Sequence, residues 1–187
     1  TYKPKLLFSV DFSKGAVLQT RVNLGFSNNN IIIRADLNNL PFRKNKFDFV
    51  LSLGVIHHNR HPNKTFNKLV TLIKKNAFIS IYMYKKYSLS FLQSLIRPIT
   101  LKISRSKIKY FCEIFGFTSS KKVKINIKRI FNSFGKLDLL GIRNITYEGL
   151  TTPFLYSYSL SEIEKWFKKN HLKIISKTNI ISMTGKK

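Results

Sequence analysis

Residues Ile31 to His58 read IIIRADLNNLPFRKNKFDFVLSLGVIHH, and this stretch decides the fold. It holds two short apolar runs, Ile31–Ile33 and Phe47–Leu51, with a proline-containing turn between them. The first run ends at Asp36 and the second at Ser52–Gly54. Continuous apolar runs of this length predict strands covered on both faces, as in a parallel sheet. Because ligands bind beyond the carboxyl ends of such strands, the two polar endings point to one crevice.

Composition predicts one globular domain with a core of its own. The chain has 187 residues, of which 43% are hydrophobic, and this content argues against disorder. The formal net charge is +26, from 34 Lys and Arg against 8 Asp and Glu. Such a charge suits nucleic acid or an anionic membrane surface. The lysines are scattered and no RNA-binding signature accompanies them, so a compositional drift toward Lys, Asn and Ile is the favoured interpretation, with nucleic acid as the alternative.

Cysteine and apolar content exclude several classes of protein. Cys112 is the sole cysteine, so the sequence carries no disulfide framework. The four histidines have no cysteine partners at zinc spacing, and we expect no metal site. The longest apolar run, Ala77–Tyr84, is far too short to span a bilayer. Together these features predict a reducing compartment and a cytoplasmic location.

The N-terminal residues predict a strand followed by a capped helix. Lys5–Val10 is apolar and ends at Asp11. Ser13 can cap a helix over Lys14–Leu24, which Gly25 would end. A carboxylate at a strand tip can accept hydrogen bonds from both hydroxyls of a ribose. The alternative is an acid that only caps the helix.

These motifs, taken in order, resemble a known family. The segment ADLNNLPF at 35–42, then FDFVLSLGVIHH at 47–58, then a helix and an apolar strand look like the middle of a class I S-adenosylmethionine-dependent methyltransferase. The chain is most similar to the branch that acts on small molecules, such as the quinone-biosynthesis type. The resemblance implies an α/β, Rossmann-like sheet with helices on both faces and the strand order 3-2-1-4-5-7-6. It also implies S-adenosyl-L-methionine as the cofactor and a small molecule as the substrate.

The resemblance assigns cofactor contacts residue by residue. Asp11 would bind the ribose and Phe12 would lie near the adenine. Asp36 would contact the adenine amino group, and the backbone amide of Leu37 a ring nitrogen. The methionine end of the cofactor would lie along Ser52, Leu53, Gly54 and Val55. Asp36 has a simpler alternative as a turn-forming residue, and Asp48 looks like the structural acid of the family.

Candidate residues for the acceptor side follow the strand ends. His57 and His58 lie just past the second apolar run, and the pKa of a histidine suits a base that deprotonates the acceptor. Many methyltransferases rely on alignment alone, so a wall of the cleft is the favoured role. Tyr84, Tyr156 and Tyr158 are candidates for substrate contact, with core packing as the alternative.

The rest of the chain divides into an insertion and a C-terminal part. We expect one methyltransferase-like domain, with the cofactor-binding part at 1–84. A helix should begin at Pro62, and Ala77–Tyr84 should form the fifth family strand. Basic and apolar residues at helical spacing predict a helical insertion or lid at 85–150. It could cover the cleft, cover only the sheet edge, or touch a membrane. The last helix, capped by Ser159 or Ser161, and an antiparallel strand pair should fill 151–187.

One expected part of the family pattern is absent from the sequence. No glycine-rich turn of the type GxGxG occurs, although such a turn lets the backbone approach the cofactor and places amides at a helix N-terminus. Because Asp11 matches the second family strand, we interpret the domain as N-terminally truncated, lacking the central first strand. We therefore expect weak or no binding of S-adenosylmethionine by these residues alone. The alternatives are an inactive methyltransferase-like partner protein or a basic RNA-associated protein.

Overall fold

The structure is a computed structural model that describes residues 4–25, 27–86, 90–122 and 147–187, with backbone only for 90–94 and 114–122. A short helical turn covers 147–151. In chain order the main elements are β1 (Leu7–Asp11), α1 (Lys14–Leu24), β2 (Asn30–Arg34), β3 (Phe47–Leu53), a 3-10 turn (Ile56–His58), α2 (Pro62–Leu72), β4 (Ile73–Tyr82), α3 (Ser90–Thr100), α4 (Arg105–Lys122), α5 (Leu160–Lys169), β5 (Lys173–Lys177) and β6 (Ser182–Lys186).

The strands form two sheets whose order agrees with the family order. β1 and β2 pair in parallel, and β3-β4-β6-β5 form a four-stranded sheet. In the second sheet β3 and β4 are parallel, whereas β6 runs antiparallel to both of its neighbours. The interruption lies between β1 and β3, the position that the expected order gives to the central first strand. The mixed α/β fold with the expected strand order is therefore confirmed.

Aromatic rings connect the two sheets across this interruption. Phe8 of β1 lies with its ring 5.3 Å from that of Phe42 and 5.6 Å from that of Phe47, measured between centroids. The rings of Phe42 and Phe47 are 4.9 Å apart. All three pairs are edge-to-face, the geometry that the ring quadrupoles favour. The sheets thus share a small apolar contact without sharing backbone hydrogen bonds.

The core lies on one face of the four-stranded sheet, beneath α2 and α5. Phe66 of α2 and Phe167 of α5 are fully buried, with ring centroids 5.1 Å apart. Ile79 and Ile81 of β4 point to the same core. Gly185 allows Phe167 to pack directly on β6, because an added Cβ would lie 2.6 Å from Phe167 Cδ1.

The opposite face of this sheet differs from the sequence-based expectation. Phe49, Leu51 and Leu53 of β3 and Phe78 of β4 are exposed. Phe49 and Phe78 are direct partners in the register of the two strands. The expectation that β3 is covered on both faces is wrong for the described residues, because α2 and α5 cover one face and no described helix packs on the other.

Asn76 and His171 are two of the non-glycine residues with positive φ, a backbone conformation that glycine adopts most readily. Asn76 has φ 66° and follows Lys74 and Lys75. His171 has φ 55°, directly before Leu172 and β5. Asparagine tolerates the left-handed region better than most residues, and histidine is also enriched there. β4 begins at Ile73, before the predicted Ala77, and Ile73 pairs with Phe47 ahead of a shift in the register of the two strands.

The helical insertion is described only in part. α3 and α4 fall within the predicted insertion, and residues 123–146 lie outside the described chain. Arg97 of α3 donates to the carbonyl oxygens of Thr152 and Leu155, so α3 is tied to the segment that leads into α5. Among the described helices, none has both the length and the apolar character needed to span a membrane.

Candidate active site

The carboxyl ends of the parallel strands meet at one edge of the molecule. Asp11 ends β1, and Asp36 follows the neighbouring β2 by two residues. Asn38, in the loop after β2, donates from Nδ2 to Asn59 Oδ1 at 3.1 Å, beyond the end of β3. Its Oδ1 accepts from the hydroxyl of Thr65 at 2.9 Å. These hydrogen bonds bring the ends of β2 and β3 to the same edge, although they belong to different sheets.

Asp11 lies in a turn that leaves its neighbour open to solvent. Its Oδ1 accepts from the backbone nitrogen of Ser13 at 2.7 Å, while Ser13 Oγ accepts from Ala16 at the start of α1. Phe12 is 71% exposed. Both the ribose role and the alternative of a turn-forming acid are compatible with this geometry, because a carboxylate keeps further acceptor positions.

Asp36 also closes a local turn. Its Oδ1 accepts from the backbone nitrogen of Asn38 at 2.8 Å and from Asn38 Nδ2 at 3.0 Å. Leu37, between them, is half-buried and packs against the core. Asp36 and Leu37 thus lie at the same strand edge as Asp11, next to a surface that includes the exposed Phe12.

The segment after β3 turns sharply at a glycine. Gly54 has φ 72°, and its backbone nitrogen donates to the carbonyl oxygen of Tyr82 at 3.1 Å, at the end of β4. Leu53 and Val55, on either side, are exposed. Ser52 is buried, and its hydroxyl has no partner among the described residues.

A cluster of ionisable side chains occupies the ends of β3 and β4. Nε2 of His58 lies 2.9 Å from Oε1 of Glu148. The hydroxyl of Tyr84 donates to Oε2 of Glu148 at 2.9 Å. Nδ1 of His58 lies 3.1 Å from the carbonyl oxygen of Phe154, and since neither this oxygen nor the ionised Glu148 can donate, both contacts are hydrogen bonds only when each ring nitrogen carries a hydrogen. Glu148 therefore links residues that follow two adjacent strands.

The electrostatics of this cluster differ sharply between its members. The contact with His58, together with the Tyr84 hydrogen bond, lowers the pKa of Glu148 despite partial burial. Burial, followed by the charge of Glu148, raises the pKa of Tyr84. His57 is fully buried, both of its ring nitrogens lack partners in the described chain, and burial lowers its pKa to about 3. At neutral pH the cluster thus contains an anionic Glu148 and a neutral His57.

Sequence reasoning missed Glu148. It lies near the end of the predicted insertion at 85–150, far in sequence from His58 and Tyr84, and no motif marks it. The scarcity of acids offered a signal, because Glu148 is one of only 8 in a chain with 34 basic residues. Asp11, Asp36 and Asp48 drew attention on the same ground through their motif positions. Asp48 itself is exposed and pairs with Lys74 at 2.7 Å, at the far end of β3.

The remaining tyrosine candidates separate into two environments. The backbone nitrogen of Tyr156 donates to the carbonyl oxygen of His57 at 3.1 Å, and the ring is partly exposed beside the cluster. Tyr158 packs edge-to-face on Trp166, with centroids 4.9 Å apart. The backbone nitrogen of Tyr158 donates to the carbonyl oxygen of Tyr84 at 2.8 Å, so the segment that carries Tyr156 and Tyr158 is bound to the end of β4.

Positive charge is present at the edge of the sheet that lies opposite to the strand ends with the candidate site residues. Exposed lysines lie at the amino-terminal ends of β3, β4 and β5, namely Lys44, Lys46, Lys74, Lys75 and Lys173. Their backbones are close, since Lys46 donates to Leu72 at 2.8 Å. RNA association stays a prediction. In the described residues, no three His, Cys, Asp or Glu side chains are grouped as a metal site would require.

A family comparison matches the N-terminal part of the chain. Residues 2–81 match the family model described as methyltransferase domain. The match covers less than half of the chain and shows that this segment is similar to methyltransferase domains. It agrees with the sequence-based resemblance to class I S-adenosylmethionine-dependent methyltransferases. No curated protein gives a significant sequence match.

Solved structures share the fold of this chain. A chain in the complex of the Haloferax volcanii Trm112 methyltransferase activator with a methyltransferase superposes with TM-score 0.56 at 12% identity, over 92% of this chain and 53% of that one. For the YcgJ protein of Bacillus subtilis the TM-score is 0.53 at 14% identity, over 93% and 56%. For magnesium protoporphyrin IX methyltransferase of Synechocystis PCC 6803 it is 0.50 at 14%, over 97% and 62%.

These likenesses concern the fold alone, because the identities are low. The chain spans about half the length of the first two of these structures, 53% and 56%. Most of this chain is thus matched by about half of each of these two solved chains.

Proposed function

We propose that this protein is an S-adenosylmethionine-dependent methyltransferase that transfers a methyl group to a small-molecule acceptor. The observation that carries the proposal is the position of Asp11 and Asp36 at the ends of adjacent parallel strands. In open α/β sheets, this edge is where nucleotide ligands bind. The family match of residues 2–81 supports the same cofactor.

The hydrogen-bonding groups at this edge fit the adenosine half of S-adenosylmethionine. Asp11 would hold the ribose hydroxyls and Phe12 would lie on the adenine. Asp36 and the Leu37 amide offer one acceptor and one donor for the adenine edge. When bound, S-adenosylmethionine supplies an electrophilic methyl group. Its methionine end would lie along the turn at Gly54, whose positive φ and exposed neighbours leave the backbone accessible.

The methionine end requires more than this segment. A further strand between β1 and β3, followed by a glycine-rich turn, would complete the cofactor site. Two observations support this part of the proposal: the sheet is interrupted at that position, and Leu51 and Leu53 of β3 are exposed beside it. An apolar surface of this kind is normally covered in a complete domain.

On the acceptor side we assign wall residues and no direct base. Nε2 of His58 faces Glu148 and Nδ1 faces the Phe154 carbonyl, so neither nitrogen is free to take a proton from the methyl acceptor. His57 is fully buried. Methyl transfer to a well-aligned nucleophile needs little help from a base. Tyr84 and Tyr156 would shape the acceptor pocket next to these histidines.

Photolabelling with tritiated S-adenosylmethionine tests the proposal even where binding is weak. Ultraviolet irradiation should label the chain, and S-adenosylhomocysteine should compete. Asp11→Asn and Asp36→Asn keep the turn-forming acceptor oxygen but lose the charge, and each should reduce labelling about tenfold. Asp48→Asn is the control, since Asp48 lies at the other end of β3. Equal labelling of all variants would overturn the proposal.

A second candidate is a methyltransferase-like protein without catalysis. The absent glycine-rich turn and the interrupted sheet favour it. Such a protein would show neither competed labelling nor methyl transfer, yet would fold cooperatively. Thermal unfolding measured beside the photolabelling separates this candidate from a preparation that has lost its structure.

A further inference from the structure

We propose that Glu148 and the aromatic rings beside it bind an ammonium group of the acceptor, so that the substrate is a small primary amine. This inference rests on the proposed methyltransferase function and names its acceptor class. It assigns a role to Glu148 that neither the family match nor the sequence motifs provide.

The rings form a continuous series beside the carboxylate. The centroids of His57 and Tyr84 are 4.0 Å apart, and those of His57 and His58 are 4.2 Å apart. Tyr82 continues the series, with its ring 6.2 Å from that of Tyr84. Aromatic faces attract cations through their negative quadrupole, and the effect grows where the site is shielded from water. Because His57 is fully buried, the faces that can attract a cation here are those of the half-buried Tyr84 and Tyr82.

Glu148 retains acceptor positions after its internal contacts. Oε1 meets His58 and Oε2 accepts from Tyr84, which leaves further lone pairs on each oxygen. The side chain is 37% exposed, so these positions are accessible. Its lowered pKa keeps the carboxylate ionised at neutral pH. An ammonium offers three N–H donors and a positive charge, the strongest complement to such a group.

The other glutamates with ion pairs in the described chain show what Glu148 lacks. Glu162 holds the ammonium of Lys86 at 2.7 Å, and Glu164 holds that of Lys177 at 2.7 Å. Glu148 has no lysine or arginine partner among the described residues, although the chain carries 34 basic residues. Among the described residues, the one group beside Glu148 that can carry a positive charge and form an ion pair with it is the imidazole of His58. A substrate ammonium would take the place that lysine takes at the other two pairs.

Two different cations could bind at this edge: the ammonium of a substrate and the sulfonium of the methyl donor. The sulfonium of the methyl donor is also a cation, but it has no hydrogen to donate to a carboxylate. The rings alone would serve a sulfonium, whereas the rings together with Glu148 serve an ammonium. The two sources therefore differ in how much they depend on the carboxylate.

The test is an NMR titration of the full ¹⁵N-labelled chain with three probes at constant ionic strength. Benzylamine is an ammonium at pH 7, benzyl alcohol is its neutral counterpart of similar shape, and trimethylsulfonium reports the donor cation. We expect benzylamine to bind about tenfold more tightly than benzyl alcohol, with shifts at His58 and Tyr84. Equal affinities of amine and alcohol, or a sulfonium affinity equal to that of the amine, would overturn the proposal.

Two variants test whether Glu148 causes the difference in affinity between the amine and the alcohol. Glu148→Gln should abolish the difference between amine and alcohol, whereas Glu164→Gln, a matched change at a lysine-paired glutamate, should preserve it. Should Glu148→Gln fail to fold, the comparison of probes on the unmodified chain still decides. Amine binding needs no methyl donor, so absent photolabelling with preserved amine binding would refute the methyltransferase function and leave the amine site intact.

Discussion

His58 and Glu148 lie 2.9 Å apart between Nε2 and Oε1, although most of the predicted insertion at 85–150 separates them in sequence. The contact, together with the hydrogen bond from Tyr84, joins the ends of β3 and β4 to the last residues of that insertion. This segment also binds α3 through Arg97. The carboxylate of Glu148 thus joins distant parts of the chain at the proposed acceptor side of the site.

The lowered pKa of Glu148 predicts a loss of stability in acid. Its pKa is about 4.5 in the unfolded chain and lower in the folded one, so its contribution is fully present above pH 4.5 and is lost as the pH falls through the folded value. We expect Glu148→Gln to cost about 1 kcal/mol at pH 7, a modest value because solvent screens the group. Urea unfolding at pH 7 and pH 3 measures both effects. A variant as stable as the parent at pH 7 would contradict the account.

His57 predicts an acid sensitivity that begins at higher pH. The unfolded ring titrates near pH 6.5, whereas burial lowers the pKa to about 3 in the folded chain. Between these values the unfolded state binds the proton and the folded state does not, so stability falls by up to about 1.4 kcal/mol per pH unit below pH 6.5. His57→Phe keeps a ring against Tyr84 and should flatten the stability profile between pH 6.5 and pH 5. An unchanged profile would show that His57 is not buried as a neutral ring.

Gly185 predicts a packing effect with an internal control. A methyl group there would lie 2.6 Å from Phe167 Cδ1 and 2.7 Å from its Cε1, in a fully buried ring. Gly185→Ala should therefore destabilise the protein by about 1–3 kcal/mol. Gly15→Ala, in the first turn of α1, meets only Ser13 Oγ at 3.7 Å and should be neutral or slightly stabilising. Equal melting temperatures of the two variants would contradict the packing of α5 on β6.

The cap of α5 predicts a smaller effect. Ser159 Oγ accepts from Glu162 N at 3.3 Å, and Glu162 Oε2 accepts from Ser159 N at 2.7 Å, which forms a reciprocal capping box. Ser159→Ala should cost about 1 kcal/mol. Ser161→Ala, two residues further along the chain and outside the capping box, should cost much less. A larger effect at Ser161 would assign the cap to the other serine considered from the sequence.

Local signals explain which elements could be predicted from the sequence. The bounds of α1 agree with the prediction because Ser13 and Gly25 mark its ends, and β3 agrees because its apolar run is continuous. β4 begins earlier than predicted, at Ile73, because its first residues pair with β3 although Lys74, Lys75 and Asn76 interrupt the apolar run. Glu148 could not be predicted, because its partners are brought to it only by tertiary folding. The open face of β3 was missed for the same reason.

The most direct test of the central claim is an NMR titration of the chain with adenosine. The claim is that one nucleoside contacts the ends of β1 and β2 together. We predict that the amide signals of Phe12 and Leu37 shift along one binding curve with the same millimolar Kd, and that Asp11→Asn weakens both. Shifts at only one of the two residues, or two different curves, would contradict a shared adenosine site.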